Sequence, residues 1–163
     1  GAGIVIQEFN INFFLRSLIY SVSDEKQLFK EIESLRKVLE LGFAREAFES
    51  MTPKALLLLA ENVKNMEALF TEIKETHANV FGIKFAKSDA AFHKTLFQSV
   101  ENTMLKSIIE FFWACDKYYQ IKTSHKNIAI TVEKHVKILQ ALEEKNYEKY
   151  YEAMQFHFHS DYK

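Results

Sequence analysis

The scarcity of proline and glycine is the feature that most constrains the fold of this chain. One proline and four glycines occur in 163 residues, so few positions favour the tight turns that a fold of many short strands requires. Apolar side chains instead recur at helical spacing, as at Ile32, Leu35 and Leu39. The pattern predicts an all-α protein, built as an antiparallel bundle of six to seven helices joined by short turns.

Side chains that can cap a helix mark where the predicted helices begin. A serine, threonine or asparagine oxygen can accept a hydrogen bond from the first helical turn. Such residues precede the apolar-periodic segments at Ser23, Thr52 (followed by Pro53), Asn102, Ser124 and Asn146. We expect the first helix to run to about Glu49 and the helix before Asn102 to end near Val100.

The first 22 residues do not belong to the predicted bundle. Residues 1–6 combine two glycines with β-branched side chains, which is typical of a turn followed by a short strand, and residues 9–22 form an aromatic-rich linker. We interpret residues 1–22 as the tail of a missing N-terminal domain plus a linker, with a tag remnant as an alternative source of the glycines. Residues 23–163 form the predicted helical domain.

Composition excludes several classes of function. A formal net charge of −1, with 21 basic and 22 acidic side chains, leaves no basic footprint for direct nucleic-acid binding. The single cysteine, Cys115, excludes an internal disulfide and fits a reducing, cytoplasmic compartment. No apolar run approaches the roughly 20 residues that span a bilayer. We therefore expect a cytoplasmic protein without a membrane segment.

An aspartate and a histidine share one face of a predicted helix. Asp89 and His93 are four residues apart, and Leu96 and Val100 continue their face as apolar positions. The pair should therefore point into the protein. A buried carboxylate needs a partner because an isolated charge is costly to desolvate. Carboxylate oxygen and imidazole nitrogen are both ordinary metal ligands, so a divalent metal in the core of the bundle is one such partner.

Two further histidines, His135 and His157, lie on apolar faces of the later helices. A single histidine in such a position is more often a hydrogen-bonded core residue than a ligand. Three of them together with a helically paired aspartate make one shared metal site an equal alternative. The remaining histidines fall at helix ends or in the C-terminal tail, and we interpret them as surface residues: His77, His125 and His159.

Arg36 is placed among apolar helical neighbours, with Ile32 one turn before it and Leu39 after it. Its guanidinium must extend to water, pair with Glu33 or Glu40, or bind an anion. A surface ion pair, worth less than about 1 kcal/mol, is the simplest interpretation. The alternative is a bidentate clamp for a carboxylate inside the bundle.

Five segments together resemble one protein family, the ligand-binding C-terminal domain (FCD domain) of GntR-type transcription regulators of the FadR subfamily. The similarity covers nearly the whole chain, and the segments are specific only in combination. They are Leu28–Glu40 with its arginine and Leu-Glu pair, Asp89–His93 as D-x-x-F-H, Ser99–Leu105, Glu133–Leu142 as E-x-H-x-x-I-L-x-A-L, and Ala153–His157 ending in M-x-x-H.

The resemblance implies a ligand set and a role for the chain. It implies that four residues bind one divalent metal, zinc first and nickel or manganese as alternatives: Asp89, His93, His135 and His157. It also implies that Arg36 binds a small carboxylic-acid effector, with Asn102 as a further polar contact or simply a helix cap. The domain would act in a homodimer, and DNA would be bound only through a winged-helix N-terminal domain that this sequence lacks.

Two other functions remain open at this stage. A metal-dependent enzyme in a helical bundle is one, although the two Glu-x-x-His pairs of a di-iron site are missing from the sequence. A purely structural metal site with a closed coordination shell is the other. The resemblance favours a sensor over an enzyme.

Overall fold

Seven helices make up the part of the chain that the computed structural model describes, namely residues 25–76, 80–116 and 125–159. The described ranges contain helices and turns and no strand, so the all-α prediction is confirmed. The helices are α1 (Glu25–Gly42), α2 (Ala44–Glu49), α3 (Pro53–Thr76), α4 (Val80–Phe97), α5 (Thr103–Asp116), α6 (His125–Glu143) and α7 (Tyr147–His157). The predicted N-terminal tail and linker, residues 1–22, lie outside these ranges, as do the caps predicted at Ser23 and Ser124.

The first predicted helix is divided in two. It ends near Glu49 as expected, but α1 stops at Gly42 and α2 begins at Ala44. The bonds from Phe43 N to Leu39 O and from Ala47 N to Phe43 O, both 3.0 Å, continue across the break. The chain therefore bends here and keeps its hydrogen bonds. Gly42 weakens the helix at this point because glycine is a poor helix former. Beyond the bend, α2 packs against α7.

Three of the predicted caps form. The Thr52 hydroxyl accepts from Ala55 N at 3.1 Å, with Pro53 as the first residue of α3. The Asn102 side-chain oxygen accepts from Leu105 N at 2.9 Å, and that of Asn146 accepts from Lys149 N at 3.0 Å. Each cap satisfies a backbone donor that the first helical turn leaves without a partner.

The core lies where α3 packs against both α4 and α6, and α6 packs against α7. Each helix contributes side chains that are almost completely buried, among them Leu59, Met66, Phe92, Ile138 and Met154. Burying one such side chain stabilises the fold by about 1.5–3 kcal/mol. Because α4, α6 and α7 meet in this core, polar residues on their inner faces are brought together away from water. Within the described residues, no helix combines the length and apolar character that crossing a bilayer requires.

Candidate metal centre

The structure brings the four predicted ligands together at the centre of the bundle. Asp89 and His93 come from α4, His135 from α6 and His157 from the last residue of α7. One nitrogen from each of the three imidazoles lies within 4.8 Å of the others. The Asp89 Oδ1 atom is 2.9 Å from His135 Nε2 and 3.5 Å from His93 Nε2.

The imidazoles of His93 and His135 are held in place by burial and by aromatic packing. Both side chains are fully buried. Phe92 packs edge-on against both, with ring centres 4.6 Å from His135 and 5.6 Å from His93. Trp113 stacks on the His93 ring at 5.2 Å. These contacts leave the two rings little freedom to turn away from each other.

Hydrogen bonds fix which nitrogen of each buried imidazole carries a proton. His135 Nδ1 lies 2.7 Å from the carbonyl oxygen of Thr131, which can only accept, so Nδ1 donates. His93 Nδ1 lies 2.7 Å from Glu40 Oε2. Burial opposes ionisation of Glu40, but the neighbouring His93 and Arg36 outweigh it and lower the pKa of this carboxyl. Glu40 is therefore an ionised acceptor, and His93 Nδ1 also donates.

As long as His135 carries no second proton, the remaining ring nitrogens form a group of acceptors with no proton between them. In these tautomers His93 Nε2 and His135 Nε2 both carry lone pairs, yet they lie only 3.2 Å apart. The neighbouring Asp89 Oδ1 is buried, lies 2.9 Å from His135 Nε2 and in this tautomer has no hydrogen-bond donor. Ligand atoms around a tetrahedral zinc ion with bonds of about 2.0–2.1 Å stand at a similar separation from one another. A cation among these atoms relieves their repulsion, so the residues present fit a divalent metal.

Electrostatics favours the protonation states that bind a metal. Burial lowers the pKa of His157 well below its ordinary value, and the neighbouring imidazoles lower it further. Burial also lowers the pKa of His93, despite the opposing influence of Glu40. For Asp89, a positive charge beside the carboxylate, carried by a protonated His135 in the absence of a metal, outweighs burial and holds the pKa at about 2, and a metal cation would act in the same direction. At neutral pH His93 and His157 are therefore uncharged and Asp89 is ionised, which are the forms that coordinate a metal.

Arg36 lies beside this group and is buried, so the interpretation as a surface ion pair is wrong. Its Nε donates to Glu40 Oε1 at 2.7 Å, and its Nη1 lies 3.4 Å from Glu33 Oε1. The guanidinium carbon lies 4.1 Å from the centre of the Trp113 ring. Its Nη2 is buried and has no hydrogen-bond partner. Because Nε is already used by Glu40, a bidentate clamp through Nε and Nη2 is not available, whereas Nη2 is free to bind an anion.

Asn102, the other predicted effector contact, caps α5 through its side-chain oxygen. The amide nitrogen of Asn102, which is the donor of this side chain, takes no part in that bond and could donate to a carboxylate. The assignment of Asn102 to the effector stays a prediction. His159, interpreted from the sequence as a surface residue, is exposed. His77 lies outside the described residues, and the side chain of His125 is not among those described.

Sequence reasoning missed the part that Glu40 and Trp113 play in this site. Glu40 appeared only as a candidate ion-pair partner of Arg36, and Trp113 was assigned no role. The available signal for Glu40 was its place four residues after Arg36, on the same helical face. Its contact with His93 joins residues that are 53 positions apart, which no local pattern reveals.

Comparisons with known proteins identify the domain. The sequence model of the FCD domain matches residues 31–160. The chain is 28% identical over 109 residues to the HTH-type transcriptional regulator LutR of Bacillus subtilis (strain 168), covering 67% of this chain and 46% of LutR. The fold is similar to that of Streptococcus agalactiae GntR, with a TM-score of 0.58 and 22% identity over 84% of this chain and 58% of that one. The chain thus spans about half the length of the regulators it matches.

Proposed function

The chain belongs to the FCD domain family of GntR-type regulators, and from this premise we propose that it senses a small carboxylic acid through a bound divalent metal. The metal ligands in this proposal are Asp89, His93, His135 and His157, and zinc is the first candidate for the ion, with nickel or manganese as alternatives. Arg36 contacts the acid. A bound metal would supply a Lewis-acidic centre with room for an acid carboxylate, and the protein residues set its position and surroundings.

One observation carries the proposal, which is the facing pair of lone pairs on His93 Nε2 and His135 Nε2. The two nitrogens lie 3.2 Å apart, and the Nδ1 protons of both rings are engaged in hydrogen bonds to Glu40 and the Thr131 carbonyl. A second proton on His135, shared with Asp89, is the other way to relieve the repulsion. Such an ion pair needs no third imidazole, whereas His157 lies close to both rings and its buried Nδ1 has no hydrogen-bond partner.

The charges of the site indicate which class of acid it takes. Two ionised carboxylates, those of Asp89 and Glu40, contact the buried imidazoles. The guanidinium of Arg36 lies behind them and carries a positive charge. Apart from Glu33, whose partly exposed carboxylate is screened by water, these three side chains are singly negative together and become singly positive once they hold a divalent metal. A buried site avoids an uncompensated charge. An effector with one carboxylate balances that charge, and Arg36 Nη2 is a buried donor that can bind it.

A purely structural metal site is less consistent with the burial of the ligands. The Asp89 side chain is 20% exposed, whereas those of His93 and His135 are fully buried. The proposed ligand group is therefore accessible to solvent on the side of the Asp89 carboxylate. A structural metal site, by contrast, usually has all its coordination positions filled by protein ligands. An enzyme would need a free general base beside the metal. Glu40 is held on both oxygens by Arg36 and His93, so it is not free to take a proton.

Sensing requires that the acid bind one arrangement of the protein more tightly than another. We propose that the domain does so within a cytoplasmic homodimer and that the change reaches DNA through a separate N-terminal DNA-binding domain. The name of the matched relative, an HTH-type transcriptional regulator, supports this assignment. This chain itself carries a net charge of −1 and no basic footprint.

The test is a comparison of thermal stability in the zinc-loaded and chelated protein with a panel of monocarboxylates and dicarboxylates. An acid present at 100 times its dissociation constant should stabilise the protein by about 2.7 kcal/mol. We expect monocarboxylates to raise the melting temperature of the zinc-loaded protein and to have no effect after chelation. Unfolding on chelation, without a shift from any acid, would identify a structural site instead.

A further inference from the structure

Glu40 is a fully buried carboxylate that joins two parts of the site. Its Oε1 accepts from Arg36 Nε and its Oε2 accepts from His93 Nδ1, each at 2.7 Å. It belongs to α1, whereas His93 belongs to α4, so the bond links helices that are distant in the sequence. Both carboxylate oxygens of Glu40 are therefore engaged in hydrogen bonds, and neither is exposed to solvent.

We propose that Glu40 is a positioning residue that keeps the proton of His93 on Nδ1 and so leaves Nε2 free to bind a cation. Arg36 fixes Glu40 in turn, because its Nε holds Oε1 and directs Oε2 towards the imidazole. This inference rests on the proposed function only for the effect on metal affinity. The effect on the His93 tautomer holds for the metal-free protein as well.

The geometry favours this role over that of an ordinary ion pair. Burying a carboxylate and a guanidinium costs desolvation energy, and apolar side chains of similar size often stabilise a core at least as well. The buried carboxylate has a use here because a ligating histidine is generally oriented by an acceptor on its other nitrogen. Trp113 adds to the restraint, since it stacks on the His93 ring at 5.2 Å while its ring also lies under the Arg36 guanidinium.

The variant Glu40→Gln separates the two roles. A glutamine amide has one acceptor oxygen and one NH₂ donor. Arg36 Nε can only donate, so the oxygen of the new amide should face Arg36 and its NH₂ should face His93. His93 must then accept at Nδ1, which moves its proton to Nε2 and into the group of ligands.

Glu33→Gln is the matched control on the same helix. Glu33 also pairs with Arg36, but at 3.4 Å, and its side chain is 43% exposed. The Glu33→Gln substitution changes the charge near Arg36 by the same amount as Glu40→Gln does, but it leaves the hydrogen bond between Glu40 and His93 in place. A partly exposed pair of this kind contributes at most about 1 kcal/mol, so we expect any change in metal affinity to stay within about fivefold.

The experiment combines ¹⁵N NMR of the histidine rings in chelator-treated protein with Zn²⁺ affinity measured against a competing chelator. His93 should carry its proton on Nδ1 in the wild type and in Glu33→Gln, and on Nε2 in Glu40→Gln. Zinc affinity should fall about 10–100-fold in Glu40→Gln. Glu40→Asp, which keeps an acceptor, should retain the wild-type tautomer.

An unchanged His93 tautomer together with unchanged zinc affinity in Glu40→Gln would overturn the inference. If Glu40→Gln does not fold, the wild-type spectrum decides, because a proton on His93 Nε2 there contradicts the role given to Glu40. If the wild type binds no zinc but shows the expected tautomers, the proposed function fails while the assignment of Glu40 as a positioning residue stands.

Discussion

His93 Nε2 and His135 Nε2 face each other at 3.2 Å in the interior of the protein, and with their Nδ1 protons engaged elsewhere the two neutral rings have no proton to offer each other. Two lone pairs at this distance repel, and Asp89 Oδ1 adds a negative charge beside them. The surrounding structure prevents the rings from relaxing, because Glu40 and the Thr131 carbonyl hold the opposite nitrogens. A cation between the two rings would relieve this repulsion.

Removal of one central ligand should release the metal. We expect His135→Ala to reduce the metal content of the purified protein to well below one equivalent, because we assign a ligand nitrogen to His135 and its loss leaves a gap beside Asp89. Elemental analysis after equilibration with Zn²⁺ and dialysis measures this. The control is His159→Ala, since the His159 side chain is exposed. Equal metal content in the two variants would remove His135 from the site.

Arg36→Lys should weaken acid binding while metal binding remains. A lysine can keep one hydrogen bond to Glu40, but it lacks the free Nη2 donor that we assign to the effector. Hydrogen bonds to charged groups contribute about 1.5–3 kcal/mol, so acid affinity should fall by about 10–150-fold. Titration calorimetry of the zinc-loaded protein with a monocarboxylate measures it.

Arg45→Lys is the matched control for that change. Arg45 pairs with Glu49 in the same i,i+4 arrangement, but its side chain is 60% exposed. The lysine variant at this position should bind acid as the wild type does. Equal acid affinity in Arg36→Lys and Arg45→Lys would place Arg36 outside the effector site.

The metal-free protein should lose stability as the pH falls from about 7 to 5. His93 and His157 have pKa values below 6.5 in the folded state because burial disfavours their charged forms. In the unfolded chain they take up protons near the ordinary pKa of about 6.5, so the unfolded state binds more protons in this range. Urea titrations in the presence of a chelator measure the effect, and His157→Gln should give a flatter dependence. A pH-independent free energy of unfolding would contradict the assigned shifts.

The core of α3 supports the helices that carry the ligands, and one pair of leucines tests it. Leu59 is fully buried, whereas Leu57 on the same helix is 68% exposed. Leu59→Ala should lower the free energy of unfolding by about 2–5 kcal/mol, because it leaves a cavity between α3 and its neighbours. Leu57→Ala should change it by less than about 0.5 kcal/mol. Similar losses in both variants, measured by chemical denaturation, would argue against this packing.

Local sequence patterns predicted those parts of the structure that depend on neighbouring residues. Helical periodicity predicted the all-α fold, and Thr52, Asn102 and Asn146 were correctly identified as caps because a cap acts within one turn. The four-residue spacing of Asp89 and His93 placed both on one inward face for the same reason. The bend between Gly42 and Ala44 was missed, since it depends on how α2 packs against α7.

Contacts between distant helices could not be derived in this way. Periodicity indicated that His135 and His157 lie on apolar faces, which made one site shared with Asp89 an equal alternative, and the resemblance to FCD domains favoured that alternative. The burial of Arg36 was only one of the alternatives that its apolar neighbours left open, and the simplest interpretation was a surface ion pair. Its partner Glu40 also binds His93, and that contact depends on the packing of α1 against the rest of the bundle.

The most direct test of the metal site is an anomalous difference map, collected at the zinc absorption edge from crystals of the Zn²⁺-equilibrated protein. We predict one strong peak at about 2.0–2.2 Å from a nitrogen of each of His93, His135 and His157 and from an oxygen of Asp89. An empty map at this position, with His135 Nε2 and Asp89 Oδ1 still paired at the present 2.9 Å, would contradict it.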